Sequence, residues 1–205
     1  MMLRQIISFI GRNIYRQEYY ILKYRLIAEY SKVQERHDNT LERLLISGED
    51  HRFRYHFGFD LIAILRAIKN RILYNKIEGA STIEQQLVRV LSNDFKKTFT
   101  RKIKEIFLST TLCELVPRKA IPTIYLNVAY YGTGMNGLAQ IFKRLEICNS
   151  RQIPKEVCAE IIARIKYPEP KKNNEKRLRQ IEMRKKHLLA LYIKHSSYKK
   201  YYIYG

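Results

Sequence analysis

Residues 49–60 read Glu-Asp-His-Arg-Phe-Arg-Tyr-His-Phe-Gly-Phe-Asp: two adjacent carboxylates, then two histidines, two arginines, a glycine and a third acid. A carboxylate in such company can take a proton from a hydroxyl, and the cations and imidazoles can orient it. By itself, however, the pair Glu49 and Asp50 reads as a solvated helix face. Asp50, His56 and Asp60 read equally as loop-holding hydrogen bonders. A second acid, Glu105, follows Arg101, Lys102 and Lys104. On a helix Arg101 and Glu105 are i and i+4 neighbours, and the plain reading is a surface ion pair worth a few tenths of a kcal/mol. Between these segments, residues 79–89 carry two hydroxyls (Ser81, Thr82), two amides (Gln85, Gln86) and Arg89.

These groups need elements to hold them, and the apolar spacing predicts mostly helices. Leu3, Ile6, Ile7, Ile10, Ile14, Ile21, Leu22 and Leu26 mark a helical stretch over residues 1–37. Its arginines, lysine and tyrosines make it basic and amphipathic, suited to a membrane interface or to packing on its own domain. Residues 37–40 read as a break and N-cap for a helix from Leu41. Ile64, Leu65, Ile68, Ile72 and Leu73 predict a helix over 62–77. Ser81 with Glu84 three residues on predicts a capping box opening the next helix. Helical patterns return over 101–115, 122–128 and 155–165, with a glycine-rich turn at 131–137. Pro168 and Pro170 are expected to end the packed part. No run alternates well enough to argue for a large sheet, and no internal repeat is evident, so the fold class is mainly α.

The 205 residues carry 39 Lys and Arg against 19 Asp and Glu, a net charge of +20. With 46% hydrophobic and 28% charged residues, the chain can bury a core, which excludes wholesale disorder. The charge points to an anionic partner: nucleic acid, anionic lipid or a phosphorylated substrate. Half the excess lies beyond residue 163, where 13 Lys and Arg face 3 Glu, a net of +10. There the final Tyr/Lys alternation suits phosphate contacts, an anionic membrane surface, or a solvated terminus. Cys113, Cys148 and Cys158 are odd in number and lack metal-site spacing, so they read as apolar fillers in helices. The most apolar N-terminal run, Ile6 to Ile10, is far shorter than the roughly 20 residues of a membrane span, and no cleavage site follows it.

Taken in order, the segments resemble the peptidoglycan glycosyltransferase family (glycosyltransferase family 51), found in bifunctional penicillin-binding proteins and monofunctional transglycosylases. Its first motif, E-D-x-x-F-x-x-H-x-G-x-D, is met at every fixed position by residues 49–60, and the Arg of the next helix is matched by Arg66. The second, G-x-S-T-I-x-Q-Q-L-x-K, is matched by Gly79, Ser81, Thr82, Ile83, Gln85, Gln86 and Leu87, with Arg89 at the basic position. The third, R-K-x-x-E, is Arg101, Lys102 and Glu105. The fourth, K-x-x-I-L-E-x-Y-L-N, keeps Tyr125, Leu126 and Asn127, but Thr123 replaces its Glu, with Pro122 just before. The fifth is loosely met by Arg184, Lys185, Leu188 and Leu189. Residues 40 to about 190 are covered.

The resemblance implies a lysozyme-like fold: a large helical lobe, a smaller membrane-facing jaw and a cleft between them. The implied organisation is a basic amphipathic N-terminal helix over 1–39, the glycosyltransferase-like domain over 40–192, and a basic Tyr/Lys-rich tail over 193–205. The implied reaction is polymerisation of lipid II: an acceptor hydroxyl displaces undecaprenyl diphosphate, with inversion at the anomeric carbon. Glu49 then serves as general base and Glu105 assists diphosphate departure. Arg66, Arg89, Arg101, Lys102 and Lys104 would neutralise the diphosphate, while Ser81, Thr82, Gln85 and Gln86 line the cleft. Asp50, Phe53, His56 and Asn127 complete the expected substrate-binding set. No cofactor is required, though Glu105 would hold a divalent cation (Mg2+ or Mn2+) through the diphosphate. Implied partners are lipid II, the growing glycan strand, an anionic membrane surface and other cell-wall synthesis proteins. The expected place is the outer face of the bacterial cytoplasmic membrane, peripherally bound, because the sequence shows neither the anchor nor the transpeptidase domain common in the family. Two alternatives stay open: a diverged enzyme that cleaves lipid II or glycan, and an inactive module that binds the precursor. Nucleic-acid binding would explain the charge but not the ordered motifs.

Overall fold

A computed structural model describes residues 2–33, 39–148, 152–172 and 174–196. Among them are ten α-helices and one two-stranded antiparallel sheet. The mainly α class expected from the sequence therefore holds. The chain divides into two compact units, one drawn from Met1–Tyr30 and Arg52–Ile121, the other from Ser31–His51 and Pro122–Gly205. The Tyr/Lys alternation of 198–204 and the break at 37–38 lie outside the described residues.

The first unit contains α1 (Met2–Ile14), α2 (Arg16–Ser31), α4 (Leu61–Tyr74), α5 (Ile83–Ser92) and α6 (Phe99–Leu115). The single helix expected over 1–37 is broken at Tyr15 into α1 and α2. Gly11 lets α1 lie close on α6: a Cβ there would meet Phe107 Cβ at 3.0 Å. Ser8 Oγ donates to Glu114 Oε2 at 2.8 Å across the same contact. Leu22 and Leu26 of α2, Ile83, Leu87 and Val88 of α5, and Leu108 and Leu112 of α6 are essentially inaccessible, forming this unit's core. Helix α4 starts on Asp60, whose carboxylate accepts from the Ile62 and Ala63 amides, and stops at left-handed Asn75. Only Ala63 of α4 is buried.

The second unit contains α3 (Asn39–Glu49), most of α7 (Ile121–Val128), the hairpin β1 (Tyr130–Gly132) and β2 (Met135–Asn136), α8 (Leu138–Arg144), α9 (Lys155–Lys166) and α10 (Glu175–Ser196). The glycine-rich turn expected at 131–137 is this hairpin, pairing Tyr130 with Asn136 and Gly132 with Met135. Pro168 and Pro170 do not end the packed part. Helix α10 follows them and lies on α9 and α3, with Leu188 fully buried and Ile181 nearly so. Proline ends a helix but leaves the chain free to return. Here Glu169 anchors the return, exchanging backbone hydrogen bonds with Tyr131 (3.0 Å) and Thr133 (2.9 Å).

Candidate active site

Glu49 ends α3, where Leu41, Leu44 and Leu45 bury one face against the second unit's core. Its carboxylate accepts from Arg184 Nη2 at 2.9 Å, and the same nitrogen donates to the Gly48 carbonyl at 2.7 Å. Glu49 and Arg184 side chains are 16% and 9% exposed, so the charge is partly sheltered from screening water. Gly48 is required beneath this pair, since a Cβ would stand 2.2 Å from Leu188 Cδ2. Arg184 belongs to the loosely matched fifth motif, and nothing in its spacing announced that it holds the first-motif acid. Asp50 is buried in the same unit at 6% exposure, and Asn127 is half-buried near the end of α7.

In the first unit, the loop after Asp50 is fixed by its own charges. Arg52 Nε donates to Asp60 Oδ2 at 2.7 Å. Burial pushes the Asp60 carboxyl up. The Ala63 amide and the Arg52 guanidinium outweigh that and hold it below its ordinary value. Phe53 is buried, with Arg118 4.5 Å over its ring. Arg118 also reaches Glu84 Oε1 at 3.4 Å, and His56 Nδ1 lies 4.0 Å from the same oxygen. Arg118 and Glu84 thus join the motif loop to α5. Neither role is visible in the sequence, where Arg118 stands in no recognised spacing and Glu84 reads as part of a cap.

That cap is displaced by one residue. Thr82, not Ser81, caps α5: Thr82 Oγ1 accepts from the Gln85 amide and the Gln85 side chain accepts from the Thr82 amide, both at 3.2 Å. The Thr82 hydroxyl also donates to the Gly58 carbonyl at 2.5 Å. Thr82 and Gln85 are buried, so they build the start of the helix. The shift leaves Ser81 outside the box, where its Oγ accepts from Lys102 Nζ at 2.8 Å. A Ser/Glu pair and a Thr/Gln pair at the same spacing are indistinguishable as patterns. The Thr82 register also gives its hydroxyl a second partner, the Gly58 carbonyl.

Glu105 is 1% exposed. Arg89 grips it with two hydrogen bonds, Nε to Oε1 at 2.8 Å and Nη2 to Oε2 at 3.2 Å. Arg101 Nη1 donates to the same Oε1. This is a buried carboxylate clamped by two guanidiniums, not the surface ion pair of the plain reading. Lys102 stands beside them. Burial lowers its ammonium pKa; Glu105 opposes the shift, and Arg89 and Arg101 reinforce it. Arg89, Arg101 and Lys102 against one Glu105 leave a surplus of positive charge. Of the other expected cations, Lys104 is drawn to Asp94 (2.8 Å) and Glu18 (3.8 Å), and Arg66 to Glu78 (3.5 Å). Gln86 is half-buried on α5. Both Glu105 oxygens accept from guanidiniums, and the surplus of positive charge beside them suits an anion.

A mainly helical fold with one carboxylate tethered by Arg184 and another clamped by Arg89 and Arg101 is in keeping with a transglycosylase domain. The transglycosylase family model matches residues 20–193, and the chain belongs to that family. It is 38% identical over 94 residues to a monofunctional glycosyltransferase of Staphylococcus epidermidis, covering 46% of this chain and 35% of that protein. Against a biosynthetic peptidoglycan transglycosylase of Nitrosomonas eutropha the identity is 40% over 105 residues, 51% of this chain and 43% of the relative. A protein of the same description from Thiobacillus denitrificans is 29% identical over 135 residues, 65% and 58% of the two chains. The matched stretch therefore spans between about a third and somewhat over half of these relatives' length.

Proposed function

We propose that this chain polymerises lipid II into glycan strands. The observation that carries the reading is the cluster of Arg89, Arg101 and Lys102 around buried Glu105. Guanidiniums recognise diphosphate oxygens in bidentate fashion. An arriving diphosphate would add negative charge beside Lys102, whose ammonium pKa is lowered first by burial and then by Arg89 and Arg101. Charge that develops on the leaving group meets groups already in place, the arrangement that most effectively lowers such a barrier. Glu105 assists by holding Arg89 and Arg101, and Ser81 by holding Lys102. Glu49 takes the acceptor proton, a step worth roughly 10²–10⁴-fold for a positioned base. The relatives' descriptions as peptidoglycan transglycosylases support the same reaction.

The protein works at an anionic membrane surface, as the water-insoluble tail of such a substrate requires. Among the described residues no helix is long and apolar enough to cross a membrane. Instead Leu61, Ile62, Leu65, Ile68, Ile72 and Leu73 of α4 are more than half exposed, with Arg66, Lys69 and Arg71 on the same helix. Met2, Leu3 and Phe9 of α1 are equally exposed. Exposed apolar groups among cations suit headgroup and acyl chain together. For a lipid II polymerase the corresponding place in the cell is the outer face of the cytoplasmic membrane, with other cell-wall synthesis proteins as its neighbours.

Purified protein incubated with lipid II and a divalent cation should yield glycan polymer, and Glu49→Gln should abolish it. Wild-type protein that produces no polymer where a related transglycosylase does would refute the reading. Release of monomeric disaccharide in place of polymer would favour the cleaving alternative.

A further inference from the structure

We propose that Glu42 is a positioning residue for Glu49, supplying from α3 the carboxylate that α7 lacks at Thr123. The inference rests on the polymerase reading and concerns a residue outside all five motifs. Thr123 is 5% exposed, and its hydroxyl donates to Glu42 Oε1. The fourth motif carries Glu where this chain carries Thr123, yet the hydroxyl here meets a carboxylate from another helix. Position 42 lies in the first turn of α3, and position 123 in the first turn of α7, which has no acid of its own. A helix N-terminus favours negative charge, so one carboxylate is at home at either position. Two side by side would repel.

Glu42 precedes Glu49 by seven residues on one helix, which puts them roughly 10 Å apart along the axis and about 20° apart around it. Helix α3 is therefore held on one side at two points, Glu42 on Thr123 and Glu49 on Arg184. Buried Leu41, Leu44 and Leu45 set the coarse orientation of the helix, and the two tethers refine its rotation and slide. With one removed, a small roll of α3 carries Glu49 off its line of attack. A misplacement on the order of 1 Å costs a reaction up to about 10²-fold.

Four proteins test this: wild type, Glu42→Thr, Thr123→Glu, and the exchange of both, each assayed for lipid II polymerisation and melting. Each single substitution should lower kcat about tenfold with KM changed less than twofold, because Glu49 is displaced while the cationic cluster is untouched. The exchange should recover most of the rate and of the melting temperature, since the carboxylate–hydroxyl pair re-forms in reverse. Glu42→Gln, which keeps an acceptor oxygen, should lose less than about threefold. Thr123→Glu with wild-type rate would overturn the proposal, as would an exchange no better than the poorer single variant. A Glu42→Thr protein that melts lower but keeps its kcat would reduce Glu42 to a structural role and also overturn it. Absence of turnover in the wild type would instead remove the polymerase reading, and the positioning role with it. Additive melting shifts would then refute the pair itself.

Discussion

Replacing Arg184 with leucine removes the guanidinium that holds Glu49 while keeping apolar bulk next to Leu188. The nitrogen that reaches Glu49 at 2.9 Å also donates to the Gly48 carbonyl at 2.7 Å, so one substitution takes a donor from two acceptors. At an effective dielectric near 20, charges 2.9 Å apart attract by about 6 kcal/mol. Most of that attraction offsets the desolvation of the two ions, and breaking a buried pair costs about 3–5 kcal/mol. With side chains 9% and 16% exposed, water screens part of it, and a loss of about 2–4 kcal/mol is expected. For a domain of this size that corresponds to a melting temperature lower by about 5–12 °C. Glu49→Gln removes the charge but leaves the guanidinium an oxygen acceptor, and should cost less. The double variant should lose less stability than the sum of the two single losses, because the two side chains interact directly. Arg184→Lys should fall between, since an ammonium cannot reproduce the planar fork. Polymerisation should drop about 10–100-fold in Arg184→Leu through kcat, as the base is no longer aimed. The assays are thermal melting and lipid II turnover on all four proteins. Arg184→Leu with unchanged melting and rate, or strictly additive losses in the double variant, would refute the reasoning.

Three further predictions use other parts of the molecule. Thr82→Ala should destabilise the protein by about 1–3 kcal/mol, losing both the α5 cap and the bond to Gly58, whereas Ser81→Ala should stay within about 0.5 kcal/mol; denaturant unfolding separates them. Asp60 has its folded pKa held below its ordinary 3.8, so its contribution to stability is present above that value and is lost as pH falls through the folded pKa. Asp60→Asn should therefore be less stable than wild type near pH 7, with the gap closing below about pH 4, as unfolding curves between pH 3 and 7 will show. Among the thiols, Cys148 is exposed, Cys158 is buried, and burial pushes Cys113 up to about 11. An aromatic disulfide reagent at pH 8 should modify Cys148 rapidly in the native protein and reach the other two only on unfolding.

The helices were legible because burial imposes a spacing, and the spacing survives in one dimension. Ile64, Ile68 and Ile72 predicted a helix where α4 lies. The same residues could not say which way that face points, and most of it is exposed. Glu49 and Glu105 were legible as chemistry through the ordered motifs. Their surroundings were not, since an ion pair such as Arg184 with Glu49 joins residues 135 apart in sequence. Local rules failed where two patterns competed. Ser81/Glu84 and Thr82/Gln85 obey the same capping rule, and the structure uses the second, whose hydroxyl also bonds the distant Gly58 carbonyl. They failed again at Pro168 and Pro170, where helix-breaking residues were mistaken for the end of the packed chain.

By itself the sequence determined the element types, the positive charge and the family, because each depends on residue identity and near-neighbour spacing. The tertiary structure alone decided which charges face one another. It clamped Glu105 between Arg89 and Arg101, drew Lys104 to Asp94, tied Glu49 to Arg184, and brought Glu42 to the hydroxyl of Thr123. Coulomb attraction and hydrogen bonding act over a few ångströms, and which groups come that close depends on how helices distant in sequence pack together.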